Sequence, residues 1–155
     1  MSDGFDELVE HKDGNGIIIL WDLANGQEVA RLYNDGYFIH CLDFSPDGKT
    51  LAACANDIGG TNDIALWDVA QHETVGHLET PNWSNGGVYA LSFSPDGKLL
   101  AGAALVGPVV WDVEMQTPLG ATQSIETNSE IDFSPEGRWL VFTNTQLYTF
   151  TMLTL

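Results

Sequence analysis

Four histidines, two cysteines and 22 carboxylates are the side chains of this sequence that could carry chemistry. His11, His40, His72 and His77 show no spacing that gathers them as metal ligands, and no Cys-x-x-Cys accompanies them. His40 stands inside an apolar run and is expected to pack in a core or line a channel. The segment Asn56-Asp57-Ile58-Gly59-Gly60-Thr61-Asn62-Asp63 is rich in oxygen ligands. It lacks the ordered spacing and closing glutamate of a helix-loop-helix calcium site, and reads as a turn-rich connection. Neither a phosphate-cradling Gly-x-x-x-x-Gly-Lys-Ser/Thr nor a Gly-x-Ser-x-Gly nucleophile turn occurs. Cys41 and Cys54 are expected as two buried thiols, since free cysteine behaves as a small hydrophobe. A disulfide is the alternative, and it would need an oxidising compartment. No catalytic residue, metal or cofactor is therefore expected.

Such side chains need a scaffold, and two recurring phrases describe it. Phe44-Ser45-Pro46-Asp47-Gly48, Phe93-Ser94-Pro95-Asp96-Gly97 and Phe133-Ser134-Pro135-Glu136-Gly137 alternate with Trp21-Asp22, Trp67-Asp68 and Trp111-Asp112. Spacings in the forties mark a repeat architecture. Each Ser-Pro-Asp/Glu-Gly predicts a tight turn. Proline presets φ, the carboxylate bonds backbone two residues on, and glycine supplies a positive φ. Apolar runs on both sides make the turn a hairpin. A third strand ends in Trp-Asp, and a short turn such as Ala24-Asn25-Gly26 leads to a more polar fourth strand. One period is a four-stranded antiparallel meander. If Phe44 opposes Leu51, the register also places Cys41 opposite Cys54.

These phrases resemble the WD-repeat (WD-40) β-propeller family, whose repeats carry Trp-Asp at the end of the third strand. The resemblance covers about Gly14 to Phe142. It implies an all-β fold of four-stranded antiparallel blades. The blades are expected at about 1–33 (partial), 37–79, 87–122 and 129–155 (partial), within a single domain spanning 1–155. The family's Trp-bonding network is incomplete here. The second strands read Leu51-Ala52-Ala53-Cys54 and Leu100-Ala101-Gly102-Ala103, without the usual hydroxyl, and Gly76-His77 lies inside a fourth strand. In the last repeat, Tyr148-Thr149-Phe150 stands where Trp-Asp would fall.

About three and a half blades do not close a ring, since propellers use four to eight. Three readings stay open: a fragment of a longer propeller, which the closure argument favours; two copies paired into a composite ring, a homodimer; and a small open arc.

The resemblance implies a non-enzymatic scaffold for protein or peptide partners. In the family, the connections from fourth to next first strand, and from second to third, line a docking face. Here they hold Tyr33 and Tyr37, and then Asn82, Trp83 and Asn85, with Trp83 the expected anchor because aromatic side chains dominate interface energetics. Trp21, Asp22, Trp67, Asp68, Trp111, Asp112, Phe44, Phe93 and Phe133 recur in register and read as structural. The rival is an enzymatic propeller, hydrolase- or lactonase-like, with its site in the central channel. Asp43 and Asp132 recur on the innermost strand, but Ser92 holds the equivalent place in the other repeat, so no ring of carboxylates is expected.

Five Lys and Arg against 22 Asp and Glu give a net charge of −17. Three of the five, Lys49, Lys98 and Arg138, directly follow a turn glycine. So little basic surface argues against nucleic acid and anionic membranes as ligands. The acidic balance suits either a basic partner or solubility alone. No apolar run approaches the roughly 18 residues of a membrane span. The acidic stretch Met1 to Glu7 lacks the pattern of a signal peptide. The cytoplasm is the expected compartment, although nothing in the sequence assigns one.

Overall fold

A computed structural model describes residues 16–34, 38–56, 62–80, 87–104, 107–121, 127–144 and 151–154. These residues form strands and turns only, in four antiparallel sheets. The first sheet pairs β1 (Gly16–Asp22) with β2 (Gln27–Asn34). The second runs β3 (Phe38–Phe44), β4 (Thr50–Asn56), β5 (Asn62–Asp68), β6 (Glu73–Glu79). The third runs β7 (Val88–Phe93), β8 (Leu99–Ala104), β9 (Gly107–Asp112), β10 (Thr117–Ala121). The fourth holds β11 (Thr127–Phe133), β12 (Trp139–Asn144) and β13 (Thr151–Thr154). The sheets are successive blades. The first supplies a third and fourth strand, the middle two are complete, and the last supplies a first, second and third.

The repeated phrases close the turns by the same bonds each time. The Gly48 amide donates to the Ser45 carbonyl at 2.8 Å, and the Thr50 amide donates to Ser45 Oγ at 2.9 Å. Asp47 Oδ1 accepts from Ser45 Oγ and from the Lys49 amide two residues on, at 2.8 and 3.1 Å. Ser94, Asp96, Lys98 and Leu99 repeat these contacts, as Ser134 does toward Gly137 and Trp139. The turn glycines Gly48, Gly97 and Gly137 sit at φ near +70°, where a side chain is strained.

The aspartate of Trp-Asp closes the next turn. Asp22 Oδ1 accepts the Ala24 amide, Asp68 Oδ1 those of Ala70 and Gln71, and Asp112 Oδ1 that of Met115, all at 2.8 Å. Asp at this place mimics a backbone turn through its own side chain. The phrase therefore divides its labour. The tryptophan packs between blades, and the aspartate turns the chain.

Blades stack through three apolar seams. Ile18 and Leu32 meet Leu51, Ala53, Ala65 and Trp67. Ala52, Cys54, Ile64 and Leu66 meet Leu91, Phe93, Leu100 and Trp111. Ala101, Ala103 and Val110 meet Ile131, Phe133, Leu140 and Phe142. Gly102 lets the Trp111 ring lie against the sheet, because a Cβ there would stand 2.8 Å from Trp111 Cζ3. The turns interlock as well: a Cβ at Gly97 would stand 3.6 Å from Pro46, and one at Gly137 3.4 Å from Pro95.

Three expectations are corrected. Cys41 and Cys54 do face each other, but as a disulfide rather than two thiols. Direct cross-strand opposition brings their Cα atoms to 5.3 Å, within bridging range. His40 is exposed rather than packed in a core, because it takes one of the open places in the alternation of β3, with Phe38, Leu42 and Phe44. The Trp-Asp position of the last repeat falls at Leu153 and Thr154, opposite Leu140 and Trp139. Leu51 faces Trp67, and Leu100 faces Trp111, in the same register. Tyr148, Thr149 and Phe150 lie outside the described residues.

Candidate functional site

The innermost strands β3, β7 and β11 lie side by side, each leading into a Ser-Pro-Asp/Glu-Gly turn. The position before the turn phenylalanine ties each blade to the next. Asp43 Oδ2 accepts the Phe93 amide at 2.6 Å. Ser92 Oγ accepts the Phe133 amide at 3.4 Å and donates to Asp132 Oδ1 at 3.0 Å. Partial burial pushes the Asp43 carboxyl above its usual range, the amides of Phe93 and Phe44 pull it back, and Asp132 adds to the rise. The sequence marks this position by its recurrence. The structure gives it a supporting role: carboxylate or hydroxyl, it satisfies an amide of the following blade.

The turn carboxylates behave oppositely. The Lys49 amide and the Ser45 hydroxyl hold Asp47 below the usual range, and the Ser94 hydroxyl and the Lys98 amide do the same for Asp96. Among the described residues, no three His, Cys, Asp or Glu side chains are arranged to hold a metal ion. Among the described residues, likewise, no helix is long and apolar enough to cross a membrane.

The structure separates the repeated residues by what covers them. Trp67 and Trp111 are 6% and 0% exposed, and Phe93 and Phe133 are both 6% exposed. The Trp111 indole donates to the Glu79 carbonyl of the preceding blade at 2.9 Å, whereas the buried Trp67 Nε1 has no partner among the described residues. Of these two buried indoles, the satisfied one bonds to backbone of a neighbouring blade. Trp21 and Phe44 stand at 57% and 49% exposure in the same register.

The Ser-Pro-Asp/Glu-Gly and Trp-Asp turns share one end of the sheets, so the remaining connections share the other. Tyr33 lies half-buried at the end of β2, on that second end. Tyr37, Asn82, Trp83 and Asn85 lie outside the described residues. On that second end, among the described residues, stand three exposed rings, Phe38, His40 and Tyr89. His40 stands 6.5 Å from Phe38 and 6.3 Å from Tyr89, centroid to centroid. Only the lateral placement of β3 and β7 brings these rings together. The segment rich in oxygen ligands falls largely outside the described residues, with Asn62 and Asp63 entering β5.

Comparison with known proteins points the same way. The family described as "WD domain, G-beta repeat" matches residues 26–68 and 71–105. Centriole proteome protein 16 of Chlamydomonas reinhardtii is 40% identical over 60 residues, 39% of this chain and 3% of that protein. Ciliary WD repeat-containing protein ctxp80 of Euplotoides octocarinatus is 30% identical over 141 residues, 86% of this chain and 18% of that protein. The chain thus spans less than a fifth of the length of either relative.

Proposed function

Because this chain belongs to the WD-repeat family, whose members typically serve as protein-interaction scaffolds, we propose that it is a non-catalytic docking module that holds a protein or peptide partner on its loop end. The observation that carries the reading is the division of its aromatics. Trp67, Trp111, Phe93 and Phe133 are consumed in blade packing, while Phe38, His40 and Tyr89 are offered to solvent at the end where the longer connections gather. Trp83 serves as the anchor for the partner, and Tyr33, Tyr37, Asn82 and Asn85 as further contact residues. The net charge of −17 favours a basic partner. The names of the two relatives attach those proteins to cilia and centrioles. We assign the module to an assembly of that kind, as a segment of a larger set of WD repeats.

The test is binding to an immobilised array of synthetic peptides, basic and neutral. Trp83→Ala and Phe38→Ala should each weaken the bound peptides by more than about 1 kcal/mol while leaving the thermal melt unchanged. Binding that is indifferent to both substitutions, or confined to neutral peptides, contradicts the proposed surface or the proposed partner charge respectively.

A further inference from the structure

The two sulfurs of the Cys41–Cys54 bridge are not equivalent. Both belong to the complete second blade, on its first and second strands. Cys54 is 2% exposed, enclosed by Ala52, Ile64 and Leu66 of its own blade and by Leu91 and Trp111 of the next. Cys41 packs against the same seam from the innermost strand and is only half-buried. A single acceptor faces both sulfurs. The carbonyl oxygen of Val88, which opens β7 in the third blade, lies 3.2 Å from Cys54 Sγ and 3.9 Å from Cys41 Sγ. A disulfide has no proton to give that carbonyl, whereas a thiol is a weak donor. The site is therefore shaped for the reduced pair as well as for the bridge. The hairpin does not depend on the bridge for its register. Leu42 opposite Ala53, Asp43 opposite Ala52 and Phe44 opposite Leu51 continue the pairing down to the Ser45 turn, and Ile39 opposite Ala55 continues it upward. With Cα atoms 5.3 Å apart, the bond can form and open without moving the strands.

We propose that Cys41 and Cys54 form a reversible thiol–disulfide exchange site, in which Cys41 takes the mixed disulfide with a low-molecular-weight thiol and Cys54 is the buried resolving thiol. Access sets the direction, because exchange needs the attacking thiolate to reach the sulfur it bonds. The thiolate of the small molecule forms a bond to Cys41 Sγ, and the Cys41–Cys54 bond breaks. Its electron pair leaves on Cys54 Sγ, which takes a proton from solvent and donates it to the Val88 carbonyl as a hydrogen bond. A second small thiolate then attacks the small molecule's own sulfur in the mixed disulfide. Cys41 leaves as a thiolate, and a small-molecule disulfide departs. The chain has gained two electrons and two protons, and two small thiols have been oxidised to one disulfide. Return runs through the same adduct: the small disulfide thiolates Cys41, and Cys54 displaces the small thiol to restore the bridge. A bridge with one accessible sulfur belongs with the labile, regulatory disulfides rather than with fully enclosed structural ones. Its opening replaces a covalent tie within the second blade by a hydrogen bond from the second blade to the third. The inference is independent of what the loop end binds.

The test is incubation of the full chain, without denaturant, in mixtures of reduced and oxidised glutathione, followed by acid quenching and peptide mapping by mass spectrometry. The bridge should open and re-form as the mixture changes. The glutathione adduct caught on the way should map to Cys41. The reduced chain should still unfold in urea as one cooperative step, at a lower midpoint because a cross-link is lost. Two variants separate the sulfurs. Cys54→Ser, whose hydroxyl can take the thiol's place toward Val88, should hold the adduct on Cys41. Cys41→Ser should leave Cys54 reacting with oxidised glutathione at least about tenfold more slowly than Cys41 does in Cys54→Ser, until urea exposes it. Should either variant fail to fold, the adduct mapped on the unaltered chain decides the same point. An adduct on Cys54 as readily as on Cys41 overturns the assigned direction. A bridge that opens only as fast as the chain unfolds overturns the exchange site and leaves a structural disulfide. Two free thiols in every mixture overturn the proposal outright.

Discussion

The seam between the second and third blades and the outer face of the first half-blade use the same residues to different effect. In the seam, tryptophan and phenylalanine of the repeated phrases vanish into a core. On the half-blade and its neighbour, Trp21 and Phe44 face outward. The difference lies entirely in what stands next to them. A repeat cannot bury its own apolar face, because each blade contributes one side of two different seams. Motif membership therefore sets the type and direction of a side chain, whereas its energetic weight comes from its place in the array.

The largest test of that contrast removes the turn phenylalanines. Phe93→Ala should cost about 3–5 kcal/mol, the range for a buried aromatic. Phe44→Ala should cost well under half as much. Urea unfolding reads both, and equal losses would break the contrast.

A smaller effect sharpens it within one seam. Gly102→Ala should destabilise by about 1–3 kcal/mol, since the added methyl meets the rigid Trp111 ring and no flexible chain can yield. Gly26→Ala meets no atom within 4 Å, so only its positive φ should tell. A neutral Gly102→Ala would mean that Trp111 does not lie where the seam puts it.

Asp43 gives a comparable loss with a pH signature. Asp43→Ala should cost about 1–3 kcal/mol by leaving the Phe93 amide unsatisfied, and Asp43→Asn should recover most of it by restoring an oxygen acceptor. The carboxyl of Asp43 is raised in the fold. Its contribution is therefore fully present below the unfolded aspartate range of about 3.9, and it declines as pH rises through the folded value. Asp47 and Asp96 are lowered. Their contribution is present above that range and is lost as pH falls through their folded values. Asp43→Asn should thus remove the decline on the alkaline side of the carboxylate range and leave the acid limb untouched. A curve of stability against pH that Asp43→Asn does not alter would contradict the assigned bond.

Much of this was legible in the residues. The spacing of Phe-Ser-Pro-Asp-Gly and Trp-Asp predicts the four-stranded meander, and the hairpin register sets Cys41 opposite Cys54, as observed. Proline and glycine fix local angles, and such signals survive without knowledge of neighbours. The disulfide needed more than register, because it depends on the two sulfurs as well as the two backbones. The last repeat misled because Tyr148-Thr149-Phe150 offered aromatic residues near the expected place, while pairing with β12 selected Leu153 and Thr154. The role of Asp43, Ser92 and Asp132 was hidden for a different reason. Their bonds cross between blades at separations of 40 to 50 residues, so no local pattern contains both partners. The rings of Phe38, His40 and Tyr89 likewise converge only when two innermost strands lie side by side.

The account turns on the claim that neighbours, not motif, set the weight of a repeated residue. Its most direct test is the pair Trp111→Ala and Trp21→Ala, followed by urea unfolding. The expected losses are about 3–5 kcal/mol for Trp111 and within about 0.5 kcal/mol for Trp21. Equal losses at the two positions would mean that the tryptophan stabilises its own blade regardless of what covers it, and the account would fail.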